Sequence, residues 1–187
     1  MNPKRIVITG GPGTGKTAVI DALEKKGYFC YQEIIREMTL EAKKEGKEKI
    51  QVVNPLLFVD DPMEFNKKIL EGRLQQYKQA SNLSEAIVFF DRGLPDVLAY
   101  MDYFDQKYGE DFAQVCKEHR YDTVFLLPPW EEIYVSDNER LETYEQAVQI
   151  HEHLEKTYSN YKYINVIVPK GTIDQRLQFI EEYLKLL

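Results

Sequence analysis

Short apolar runs of strand length alternate along this chain with longer stretches in which apolar residues recur every three or four positions. Strands buried on both faces read as continuous apolar runs, and the helices that cover them read as one-sided stripes. The alternation therefore predicts an α/β fold built on a parallel sheet. Strands are expected at 5–9, 28–32, 86–90, 123–127 and 165–168, and helices at 18–26, 63–80, 96–108, 142–158 and 173–186, with a further helix beginning at 33–45. Phe65, Ile69, Leu70, Leu74 and Tyr77 mark the buried face of the longest helix. Gly27 stops the first helix, Pro55 and Pro62 bracket an irregular stretch, and Pro128 and Pro129 close the fourth strand.

Length and charge narrow what such a fold can be. A chain of 187 residues suits one domain, 1–187, with a core of its own. The 43% hydrophobic and 29% charged content is that of a globular protein. A formal net charge of −7, with Lys and Arg interspersed among acids, argues against nucleic acid as a partner. Cys30 and Cys116 stand alone, which suggests neither a disulfide framework nor a zinc site, and both are expected reduced and buried. No apolar run has the length of a signal-peptide core or a membrane span, so the expected compartment is the cytosol. Nothing in the sequence sets the oligomeric state.

The chemistry begins between the first strand and the first helix. GGPGTGKT, comprising Gly10, Gly11, Pro12, Gly13, Thr14, Gly15, Lys16 and Thr17, fits G-x-x-x-x-G-K-[ST] in the strand-to-helix setting that the motif needs. Successive backbone N–H groups and the helix N-terminus converge there on phosphates, with Lys16 as a point charge for the β- and γ-phosphates and the Thr17 hydroxyl as a magnesium ligand. The cofactors expected are thus a nucleoside triphosphate and Mg2+. The guanine-reading string [NT]-K-x-D does not occur, which favours ATP over GTP.

A second acidic position follows. The strand AIVFFD ends in Asp91, where a carboxylate can hold magnesium through water, or can cap the next helix. Arg92 directly after it is placed to steady a phosphoryl group or its acceptor. Asp96 lies in the first turn of the helix, where a negative charge is favoured in any case, and could also contact substrate.

GGPGTGKT, FFDRG and the segment containing SDNER together resemble the nucleoside- and nucleotide-kinase-like branch of P-loop proteins. They are most similar to predicted ATPases akin to the ribosylnicotinamide-kinase domains of bacterial NAD-biosynthesis regulators. The resemblance implies a three-layer P-loop fold with a five-stranded parallel sheet of order 2-3-1-4-5, the Asp91 strand beside the P-loop strand, and a helical lid at about 130–160. It implies γ-phosphoryl transfer to a hydroxyl of a small nucleoside-like acceptor. Glu33 matches the carboxylate that receives the acceptor proton, Arg140 is a lid arginine, and VPKGT, 168–172, lies where relatives contact the base. The family carries several lid arginines where this chain has one.

Helical spacing would put Arg36 on the same face as Glu33, as a substrate ligand or a surface ion pair. Arg140 could equally bridge to its acidic neighbours. His151 and His153 read as surface residues. Trp130, Tyr134, Tyr100, Tyr103 and Phe104 could wall a pocket or fill the core. Two other functions fit the same motifs: a hydrolase acting as a switch, and a nucleotide-sensing module with negligible turnover.

Overall fold

A computed structural model describes residues 2–35, 61–134 and 142–185. Five strands form one parallel sheet: β1 (Lys4–Gly10), β2 (Phe29–Tyr31), β3 (Ile87–Asp91), β4 (Thr123–Leu127) and β5 (Asn165–Ile167). Their order is β2-β3-β1-β4-β5, the expected 2-3-1-4-5. β1 sits at the centre, with Ile8 opposite Asp91 on β3 and Gly10 opposite Leu127 on β4. β3 ends two residues short of β1 and runs parallel to it, so the phosphate loop and the DRG turn leave the same edge of the sheet.

Six α-helices are described: α1 (Lys16–Lys25), α2 (Pro62–Gln79), α3 (Leu94–Tyr103), α4 (Glu110–Glu118), α5 (Tyr144–Asn160) and α6 (Ile173–Lys185). The period-two alternation of the strands sorts the core into two layers. Ile6, Ile8, Phe89 and Phe125 pack with Val19, Ile20 and Leu23 of α1 and with Leu177 and Ile180 of α6. On the opposite face, Val7, Val88, Phe90 and Val124 pack with α2, α3 and α4 and with Tyr158 of α5. Each of these large apolar side chains contributes roughly 1.5–3 kcal/mol on leaving water. The phosphate loop is therefore anchored at both of its ends in the best-buried part of the molecule.

Three boundaries depart from expectation. α1 begins at Lys16 because Gly15, with φ of 83°, already provides its N-cap. The helix expected over 96–108 ends at Tyr103, where Asp105 takes a left-handed φ of 55° and Gln106 N–H donates to Met101 O at 2.8 Å. The chain then turns at Gly109 into α4, a helix the pattern had not revealed because it buries only Phe112 and Cys116. α5 starts with a reciprocal cap in which Thr143 Oγ1 accepts from Gln146 N–H and the Gln146 amide oxygen accepts from Thr143 N–H. Cys116 is buried as expected, Cys30 is half-buried, and both are free thiols. Among the described residues no helix is long and apolar enough to cross a membrane.

Candidate active site

The phosphate loop is shaped by where its carbonyls go. Gly13 and Gly15 have φ of 71° and 83°, a region that side-chain-bearing residues avoid. Thr14 Oγ1 donates to Gly11 O at 3.0 Å, Lys16 Nζ donates to the same oxygen at 2.8 Å, and Arg176 Nη1 of α6 donates to Thr14 O at 2.9 Å. α1 has neither a side-chain cap nor an acid in its first turn. Its first N–H groups and the positive end of its dipole thus face the loop uncompensated, the condition for holding an anion. Burial pushes the Lys16 ammonium down to about 7 and the Arg92 charge pushes it the same way, against the pull of Asp91, Glu33 and Asp96. An entering polyphosphate would restore the charged form.

Opposite Lys16 stands a buried group of alternating charges. Glu33 follows β2 and is met by two guanidinium groups: Arg73 of α2 at 2.8 Å on Oε1, and Arg92 Nε on Oε2. Arg73 also donates to Gly93 O at 3.0 Å, which ties α2 to the turn after β3. Arg92 occupies a left-handed φ of 73°, a strained setting for an arginine. That backbone sends its side chain back across the sheet edge, with Nη1 3.5 Å from Gly10 O and 3.3 Å from Asp96 Oδ1, and its guanidinium over the Tyr100 ring. Arg92 thereby links the carboxylate of Glu33 to the start of the phosphate loop.

Asp96 is wholly enclosed. Its Oδ1 accepts from Thr9 Oγ1 at 2.5 Å, and its Oδ2 accepts from Gly93 N–H at 2.9 Å and from the Tyr158 hydroxyl. Burial alone would push its carboxyl up, but Arg73, Arg92 and the bonds from Thr9 and Tyr158 outweigh this and hold it below the usual range. Asp96 braces the first turn of α3 and also bonds the arginine that reaches the loop. Asp91, 3% exposed, ends β3 one residue before Arg92. With the Thr17 hydroxyl it supplies hard oxygen donors of the kind magnesium takes. Among the described residues no group of three or more His, Cys, Asp or Glu side chains forms a metal cage. Arg36 and Arg140 lie outside the described residues.

Some side chains sit elsewhere than the sequence suggested. His151, read as a surface residue, is 8% exposed on α5, with its Cβ beneath Gly11. Burial, with Lys16 nearby, pushes its imidazole down to about 4. His153 is half-buried beside Tyr103. The Tyr134 ring lies so close over Gly13 that a Cβ added there would come within 2.4 Å of it, and Trp130 stacks on Arg176. Tyr100 and Tyr103 pack against the buried cluster of Leu126, Ile150 and Leu154, and Phe104 meets the Tyr103 ring edge to face.

Arg73 and Arg176 were missed from sequence although both are buried at the site. The signal was present: Arg73 falls on the stripe of Asn66, Ile69, Leu70 and Gln76 that α2 buries, and Arg176 falls between Ile173 and Ile180 on the stripe of α6. A cation placed where a helix should be apolar needs a buried partner.

Comparison with known proteins agrees with the fold. The family model AAA_28, described as an AAA domain, matches residues 5–176. No curated protein sequence matches the chain significantly. Among solved structures, deoxyadenosine kinase from M. mycoides superposes with a TM-score of 0.66 at 20% identity, over 98% of this chain and 100% of that one. Thymidylate kinase from Candida albicans gives 0.68 at 16% identity, over 99% and 92%. NadR protein in complex with NR gives 0.69 at 19% identity, over 98% of this chain and 51% of NadR, so this chain spans about half of that protein. At these identities the likeness is one of fold, and the family match is what places the chain: it belongs to the AAA_28 family of P-loop AAA domains and has the nucleoside- and nucleotide-kinase-like fold.

Proposed function

We propose that this protein transfers the γ-phosphoryl group of magnesium-ATP to a hydroxyl of a small, nucleoside-like acceptor. The observation that carries the reading is Arg92, which joins the Glu33 carboxylate to the Gly10 end of the phosphate loop. Polyphosphate binding and a carboxylate able to take a hydroxyl proton thus meet across one arginine.

In this reading the loop N–H groups from Gly13 to Thr17 and the start of α1 bind the β- and γ-phosphates, and Lys16 leaves Gly11 O to pair with them. Thr17 and Asp91 are the residues that would hold Mg2+ there. Bound there, the ion neutralises phosphate charge. Arg92 turns toward the transferring group as phosphate competes with Glu33 for its guanidinium, which leaves Glu33 to accept the proton of the acceptor hydroxyl. Arg73 keeps Glu33 in place during that exchange. Asp96 positions Arg92 and does not itself touch the reacting atoms. α5 packs against α3 through buried side chains, and residues 135–141 of the expected lid lie outside the described residues. Arg36 and Arg140 complete the candidate set as acceptor and phosphate ligands.

The kinase names among the fold neighbours support the choice of acceptor class: a deoxyadenosine kinase, a thymidylate kinase and a protein bound to NR. The test is ADP formation across a panel of nucleosides, nucleotides and vitamin-like alcohols. One acceptor should raise the rate well above the no-acceptor level, and Glu33→Gln should reduce that rate by ~10²–10⁴-fold while ATP still binds. A rate indifferent to every acceptor would make the protein a hydrolase, and undiminished turnover in Glu33→Gln would assign the base elsewhere.

A further inference from the structure

Arg176 is 3% exposed on the inner face of α6, and among the described residues it makes one hydrogen bond, from Nη1 to Thr14 O at 2.9 Å. The guanidinium carbon lies 4.8 Å from the centre of the Trp130 ring, and Nε is buried with no hydrogen-bond partner. Among the described residues no carboxylate pairs with it. Arg73 and Arg92, the other arginines buried at this site, each pair with carboxylates. Burial lowers the Arg176 pKa. A cation enclosed without a counterion is a cost to the fold, and the usual compensations are a buried acid or a bound anion.

The single bond also has a direction. In a trans peptide the C=O and the following N–H point opposite ways. By drawing Thr14 O toward α6, Arg176 turns the Gly15 N–H to the other side, toward the interior of the phosphate loop. The contact is tight, because a Cβ added to Gly15 would come within 2.9 Å of Nη1.

We infer that Arg176 is a positioning residue for the triphosphate: it aims the Gly15 N–H into the loop, and the charge it lacks in the free protein is the polyphosphate itself. The inference rests on the reading of this loop as an ATP site. Trp130 keeps the guanidinium flat and away from water, so its charge acts on the loop with little screening.

Titration calorimetry with ATP, ADP and AMP in the presence of magnesium, alongside melting curves without nucleotide, tests this on the full chain. Arg176→Met should melt at or above the wild-type temperature, since it removes a buried unpaired charge. It should bind ATP ~10–100-fold more weakly, with AMP changed less than about twofold. Arg176→Lys should recover part of the preference for ATP. If Met destabilises the fold, Arg176→Gln keeps a donor for Thr14 O without charge, and the same selective loss for ATP is expected. Equal ATP affinity in wild type and variants would reduce Arg176 to a packing residue. Equal losses for ATP and AMP would move its role to the nucleoside half. A wild-type protein that binds none of the three overturns the functional reading as well, whereas the other two results overturn this inference alone.

Discussion

Glu33 is held by guanidinium groups from two different elements, and the arrangement is expensive unless both are present. Removing one member of a buried ion pair strands the other's charge, at about 3–5 kcal/mol. Arg73→Met should therefore destabilise the protein by about 3 kcal/mol, toward the lower end because Arg92 still faces Glu33. The double variant Glu33→Gln, Arg73→Met should recover part of that loss in urea unfolding. Additive losses would show that the two side chains do not act as a pair. At this scale the sequence was informative wherever spacing alone fixes where a residue sits. Gly10 to Thr17 could be read from spacing, and Asp91 and Arg92 from the end of an apolar strand. Arg73 could not, because its partner is 40 residues away and only folding brings α2 across the end of β2. The depth of Asp96 was hidden for the same reason, since Thr9 and Tyr158 come from β1 and α5.

The elements were legible where they are long or strongly apolar. β1, β3 and β4 are continuous apolar runs, and α2 and α6 carry stripes that no loop would show. α4 escaped notice because two buried residues make a weak stripe, and α3 ended early because a left-handed turn at Asp105 leaves no mark in an otherwise helical composition. α5 was found, but not its rotation about its own axis. That rotation puts His151 inward under the phosphate loop, against the surface reading. It has a consequence for stability. The folded imidazole titrates at about 4 and the unfolded one near its ordinary 6.5, so the unfolded chain binds the extra proton between those values. Stability from this residue is complete above about 6.5 and falls as pH drops toward 4, by on the order of 3 kcal/mol. His151→Leu, which has no proton to bind, should lose less stability over that interval than wild type in denaturant titrations at a series of pH values. Parallel pH profiles would mean that His151 takes up its proton in the folded state as readily as in the unfolded chain.

Across the whole molecule the charge is −7, yet Lys16, Arg73, Arg92 and Arg176 all gather at one edge of the sheet, interleaved with Glu33, Asp91 and Asp96. Four cations interleaved with three carboxylates leave a local positive excess in an acidic protein, a field that would favour small polyanions over larger ones. Strand order was given by resemblance and not by periodicity, because alternation of strands and helices says that a sheet is parallel without saying which strands are neighbours. The register of β1 against β3 and β4 then decides function, since it sets the phosphate loop and Arg92 side by side. If this edge moves a phosphoryl group between two bound molecules, as proposed, phosphorus NMR of magnesium-ATP incubated with the protein and the acceptor that most stimulates ADP formation should show one new phosphate ester for each ADP formed, with no inorganic phosphate beyond the spontaneous level. Inorganic phosphate equal to ADP, with no ester signal, would rule the transfer out.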